Sequence, residues 1–84
     1  MNPRVTIVRY KKPYKLILTF TNKEVKEFDL SKYLTVPVYQ LLKDEAFCKT
    51  ARVFNGTVKW DESTDFDPDT LYLESKTIPK NEKS

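Results

Sequence analysis

The sequence predicts a two-layer α+β fold: an antiparallel three-stranded β-meander plus a β-hairpin, packed on one or two short helices. Three observations carry this. Residues 14–21 alternate cleanly between apolar and polar, the signature of a strand with one buried face. Asn55-Gly56, which holds the only glycine, lies between alternating residues and signals a two-residue hairpin loop. Pro37 and Pro68 each stand where a proline can open a helix, because the missing N–H costs nothing in the first turn.

In chain order, Arg4 to Tyr10 is rich in β-branched residues and reads as the first strand. Lys11-Lys12-Pro13 ends it, since proline has no donor for a ladder. Tyr14 to Thr21 forms the second strand. Tyr14, Leu16, Leu18 and Phe20 share one face, and Lys15, Ile17, Thr19 and Thr21 the other. Asn22-Lys23 is a turn, asparagine being the residue expected to take positive φ. Glu24 to Leu30 returns as the third strand. Val25 and Phe28 are out of phase for a period of two, so a bulge or an early strand end is expected there.

Asp29 then caps a short turn through Ser31 to Leu34. A helix begins at Pro37, with Val38, Leu41 and Leu42 at i, i+3, i+4 facing inward. Asp44 caps a second short turn that carries Phe47 and Cys48 to the core. In the hairpin, the two-residue loop sets Phe54 opposite Thr57, Val53 opposite Val58, Arg52 opposite Lys59 and Ala51 opposite Trp60. Ala51, Val53, Val58 and Trp60 then form one apolar face. Asp67 caps a last helical turn from Pro68, anchored by Leu71. From Ser75 only Ile78 is apolar, so a single domain of residues 1–74 followed by a disordered polar tail of 75–84 is expected.

A chain of 84 residues buries only about 60–65% of its unfolded surface, so its core is thin and each aromatic is first a core residue. Cys48 is the only cysteine, which fits a reducing, cytoplasmic setting and a buried filler role. The N-terminal residues lack the apolar stretch of a signal peptide, and Leu16-Ile17-Leu18 is far too short to cross a membrane. Charge is divided: residues 1–26 carry seven basic side chains and one acidic, and residues 27–84 carry eight basic and eleven acidic. The first part is thus +6 and the second −3, within a net +3.

The composition argues against most catalysis. With no histidine, the commonest general base and metal ligand is missing, and so is every His-dependent triad. One glycine cannot make a phosphate-cradling loop. Asp65, Asp67 and Asp69 begin like a calcium loop, but Thr70 replaces the loop's glycine and Lys76 its closing glutamate. Capping and solvated acids are the better reading, and no metal or cofactor is expected. The first hairpin, Arg9 to Lys15, interleaves cations with Tyr10 and Tyr14 in a way that suits base stacking. A solvated hairpin tip whose tyrosines cover the sheet edge explains it better. Arg52 opposite Lys59 is a like-charged pair, which destabilises a hairpin unless an acid lies nearby. Asp61, Glu62, a neighbouring strand or a partner would supply one.

Several motifs resemble a known family. Arg52-Val53, Gly56-Thr57-Val58, Trp60, Asp65, Pro68-Asp69 and Leu71-Tyr72 are similar to the C-terminal half of the bacterial family called domain of unknown function 2442. In the first half, Tyr14-Lys15-Leu16, Phe20, Phe28-Asp29-Leu30, Tyr33-Leu34, Leu42-Lys43-Asp44 and Phe47 match as well. The likeness spans roughly residues 3–74. Glu45 and Asp61-Glu62-Ser63 depart from it, standing where the family often has proline and Pro-Asn-Gly. The resemblance implies a compact α+β domain of regulatory or antitoxin-like character. Some relatives carry a helix-turn-helix after it, for which there is no room after residue 74, and many are encoded beside a second small protein.

The resulting expectation is a non-enzymatic protein-interaction or regulatory module, with a protein partner and no membrane. The alternative is a small nucleic-acid-binding protein using the basic N-terminal hairpin. The candidate interaction surface is Lys11, Lys12, Tyr14, Arg52, Lys59, Asp65, Asp69 and Tyr72. Gly56, Trp60, Phe28, Leu42 and Phe47 are assigned structural roles, with Asp65 and Asp69 able to brace the last turn and Tyr72 to cover it.

Overall fold

A computed structural model describes residues 2–61 and 64–78. Seven strands form two antiparallel sheets: β1 (Val5–Lys11), β2 (Lys15–Phe20), β3 (Val25–Asp29), β4 (Arg52–Phe54), β5 (Thr57–Asp61), β6 (Thr64–Asp65) and β7 (Lys76–Thr77). The first sheet runs β1-β2-β3-β7 and the second β4-β5-β6. Two short helices, α1 (Glu45–Cys48) and α2 (Pro68–Glu74), and 3-10 turns over Ser31–Tyr33 and Pro37–Lys43 complete the fold.

The α+β class holds, and each predicted β unit gains one strand. The meander acquires β7 at its edge, where Lys26 and Glu27 pair with Thr77 and Lys76. The disordered tail expected from Ser75 is therefore ordered at its start, with Ser75 itself buried. Residues 79–84 lie outside the described residues. The hairpin acquires β6, with Lys59 opposite Asp65.

One core joins the layers. Val5, Leu16, Leu18, Phe20 and Phe28 enter from the first sheet, Val58 and Trp60 from the second, and Leu42, Cys48, Phe66 and Leu71 from between and around them. Phe28, Leu42 and Trp60 are buried in this cluster, and Phe47 packs half-buried on it. The hairpin register is the expected one, Arg52–Lys59, Val53–Val58 and Phe54–Thr57. Asn55 and Gly56 take φ of 50° and 81°, as a type I′ turn demands.

Four local expectations are corrected. The bulge lies in β1, between Val5 and Ile7, and not in β3. The extra residue lets Val5 and Val8 both face inward. β3 stays in unbroken register with β2 because Val25 turns outward and Lys26 inward. Lys26 is buried at 8% exposure; its Nζ donates to the Tyr72 carbonyl at 2.8 Å and sits 3.9 Å from the centre of the Tyr72 ring. A long aliphatic stem with a satisfied head thus serves where an apolar residue was expected. In the turn after β2, Lys23 takes the positive φ, while the Asn22 side chain accepts from the Glu24 N–H.

The fourth correction concerns Pro37–Lys43. It winds as a 3-10 helix, in which residues three apart eclipse. Tyr39 and Leu42 therefore face the core together, and Val38 and Leu41 face solvent, about half exposed. The capping expectations hold for Asp44, which accepts from the Ala46 N–H, and for Asp67, which accepts from those of Asp69 and Thr70; Asp29 stands one residue before the cap position, held by Leu30, and accepts from the Ser31 N–H and hydroxyl.

Candidate functional site

The residues singled out from sequence fall into three places. Lys11, Lys12 and Tyr14 lie at the tip between β1 and β2, around a cis Lys12–Pro13 bond. The tyrosines there are turned into the protein. Tyr10 donates its hydroxyl to Glu45 of α1 at 3.0 Å and accepts from the Tyr14 N–H; Tyr14 donates its own hydroxyl to the Lys43 carbonyl at 2.6 Å. Burial and the Glu45 carboxylate hold the Tyr10 phenol above its ordinary pKa. Tyr14 has φ of 54°, so it closes the turn and does not begin the strand. Both rings are half-buried and pack against the core.

Arg52, Lys59 and Asp65 form one row across the second sheet. Asp65 on β6 stands opposite Lys59, which places an acid beside the Arg52–Lys59 pair, and Lys59 sets its ammonium 4.3 Å from the centre of the Phe54 ring. Glu62 lies outside the described residues.

Asp69 and Tyr72 belong to α2. Asp69 accepts from the Asn2 amide at 3.3 Å. Asp67 is the residue that caps the helix, and Asp69 stands in its first turn. Tyr72 packs edge-on against Phe20 and donates its hydroxyl to Glu24, joining α2 to the meander. That bond holds the Glu24 carboxyl below its ordinary pKa and raises the Tyr72 phenol. Among the described residues no group of three potential metal ligands converges. Cys48 is fully buried, and burial pushes its thiol up to about 11, far from a reactive thiolate.

The surface that stands out is one the candidate set did not include. The outer face of the meander carries an open groove of about 270 Å³ lined by Ile7, Arg9, Ile17, Thr19 and Val25. Register builds it. With Val5, Val8 and Tyr10 inward on β1, and Leu16, Leu18 and Phe20 inward on β2, the alternate side chains point outward. They form three cross-strand rows: Ile7–Thr19–Val25, Arg9–Ile17–Glu27 and Lys11–Lys15–Asp29. Ile7 is 50% and Val25 37% exposed. Glu27 lies 3.5 Å from Lys11 and 3.8 Å from Lys15. The signal was present in the alternation of residues 14–21, which puts Ile17 among polar neighbours. The outward turn of Val25 and the β1 bulge, which complete the apolar strip, leave no mark in the alternation.

Residues 5–77 match the family described as Protein of unknown function (DUF2442). No curated protein and no solved structure matches the chain. No helix among the described residues is long and apolar enough to cross a membrane.

Proposed function

Because the chain belongs to the DUF2442 family, whose function is unknown, we propose its role from its own surfaces: a non-enzymatic protein-interaction module of regulatory, antitoxin-like type. The observation that supports this is the outer face of the meander. The inward side chains of the sheet are committed to the core, whereas Ile7, Ile17 and Val25 hold an apolar strip open to water between ionic margins. Apolar centre and charged rim is the anatomy of a protein-binding patch. The regulatory and antitoxin-like part rests on the family resemblance alone.

The nucleic-acid reading is the less favoured one, since Tyr10 and Tyr14 are half-buried against the core and their hydroxyls hold them to Glu45 and Lys43. Lys11 and Lys12 remain able to touch phosphate at low salt, so low-salt binding decides nothing. The test is a salt titration of binding to random DNA and RNA, on wild type and on the Lys11→Glu/Lys12→Glu variant. The expected result is weak binding that vanishes near physiological salt. Binding that persists at moderate salt in wild type and disappears in the double variant contradicts the interaction-module reading.

A further inference from the structure

We propose that the partner of the outer meander face is a second copy of this chain, packed face to face about a two-fold axis parallel to β2. The inference rests on that face being the interaction surface, and it comes from the register. A two-fold axis along β2 places each outward residue of β1 over the outward residue of β3 in the same row of the other copy and leaves the two-residue edge strand β7 outside the overlap. Applied to the three rows, Arg9 meets Glu27 of the second copy, Lys11 meets Asp29, and Ile7 meets Val25. Ile17 and Thr19 on the axis meet their own counterparts.

The face is therefore self-complementary in both charge and polarity. Cations lie on β1 and acids on β3, with apolar residues between and at one end. A random distribution of charge lacks this antisymmetry. Arg9 has no hydrogen bond or ion pair within the described residues, so it is available to a second chain. Two like-charged meetings lie at the margins: Lys15 with its own counterpart, where each has a Glu27 carboxylate 3.8 Å away, and Lys76, opposite Glu27 on β7, beside Arg9 of the second copy.

Size sets the strength. Three strands of about six residues make a face of roughly 20 by 15 Å. Two such faces make roughly 600 Å², about half the ~1,200 Å² at which stable interfaces begin, so a weak, reversible dimer with a dissociation constant in the high-micromolar range is expected.

The test is sedimentation equilibrium of wild type, Arg9→Glu, Glu27→Arg and a mixture of the two variants, with melting temperatures confirming that each is folded. Arg9→Glu sets a new carboxylate against that of Glu27 twice per dimer, and Glu27→Arg sets two guanidinium groups together twice. Each variant alone is expected to dissociate at least about tenfold more readily. Mixed, they restore one pair of opposite-charge contacts in each heterodimer in place of the repulsive ones, and mixing is expected to recover dimer that neither variant forms alone. Should Glu27→Arg not fold, Ile7→Glu mixed with Val25→Lys tests the same symmetry at two exposed positions. A monomer up to about 1 mM overturns the proposal, as does a dimer that survives in each variant or is not restored on mixing. A monomeric wild type leaves the interaction-module reading standing, because that reading is decided separately by the salt titration.

Discussion

At the scale of the residue, Trp60 and Lys26 are among the side chains that tie the layers together. Trp60 is 3% exposed, donates its Nε1–H to the Cys48 carbonyl at 2.9 Å, and meets Phe66 edge-on. Trp60→Ala is expected to cost about 3–5 kcal/mol, combining a cavity with the loss of the shorter hydrogen bond to the carbonyl at the end of α1. An unchanged melting temperature would make Trp60 a surface residue. Lys26→Met keeps the aliphatic stem but removes the charge over the Tyr72 ring and the donor to the Tyr72 carbonyl. It is expected to cost about 1–3 kcal/mol in a thermal or urea melt, and a neutral result would mean the ammonium contributes nothing there. Trp60 was legible in the sequence because a fixed hairpin register put it on an all-apolar face. Lys26 was not, because a period-two reading has no inward place for a lysine. Its neighbour Val25 reads as apolar and therefore inward.

At the scale of the element, local chemistry was the most readable. Asn55-Gly56, Asp44 and Asp67 act as their sequence context indicates, since turns and caps depend on residues a few positions apart. Gly56→Ala is expected to lose about 1–2 kcal/mol, because alanine resists the φ of 81°. The Arg4 Cδ, 2.7 Å from where the new Cβ would sit, can move aside, but the Arg4 Cβ, 3.0 Å away, is fixed to the backbone and adds to the loss. Asp67→Ala is expected to lose about 0.5–2 kcal/mol with the cap of α2. Equal melts for wild type and variant would contradict either role. Less readable were elements decided by tertiary contact. β6 and β7 are two residues each, too short to carry a period, and exist because β5 and β3 offer them a ladder. The 3-10 winding of Pro37–Lys43 exchanged which apolar residues are buried, and the i, i+3, i+4 pattern fitted both alternatives equally.

At the scale of the whole molecule, stability should fall at both ends of the pH range. Hydrogen bonds hold the carboxyls of Glu24 and Glu74 below their ordinary pKa through Tyr72 and Tyr33, and that of Asp29 through Ser31. These contributions are present above the unfolded pKa near 4 and are lost as pH falls through the lower folded values. At the other end, burial and the Glu74 carboxylate raise Tyr33 to about 12. The folded state keeps that proton while the unfolded phenol loses it near pH 10, so stability drops between about 10 and 12. Melting temperature against pH checks both limbs, and Tyr33→Phe should flatten the alkaline one. A Tyr33→Phe curve identical to wild type there would remove Tyr33 as the cause.

The candidate surface was half legible at this scale. Alternation along β2 put Ile17 and Thr19 on the face opposite the core, but which outward face stays uncovered is decided by the packing of every other element. The paired face is best probed by the methyl spectrum of the folded protein, followed on dilution from about 1 mM to about 10 μM, the range a small interface of this kind spans. Concentration-dependent shifts are expected for the Ile7, Ile17, Thr19 and Val25 methyls, with those of Leu16, Leu18, Leu30 and Leu42 on the core side unmoved. Shifts confined instead to Val36, Val38, Leu41 or Leu73, or none at all across that range, would contradict self-association through the meander.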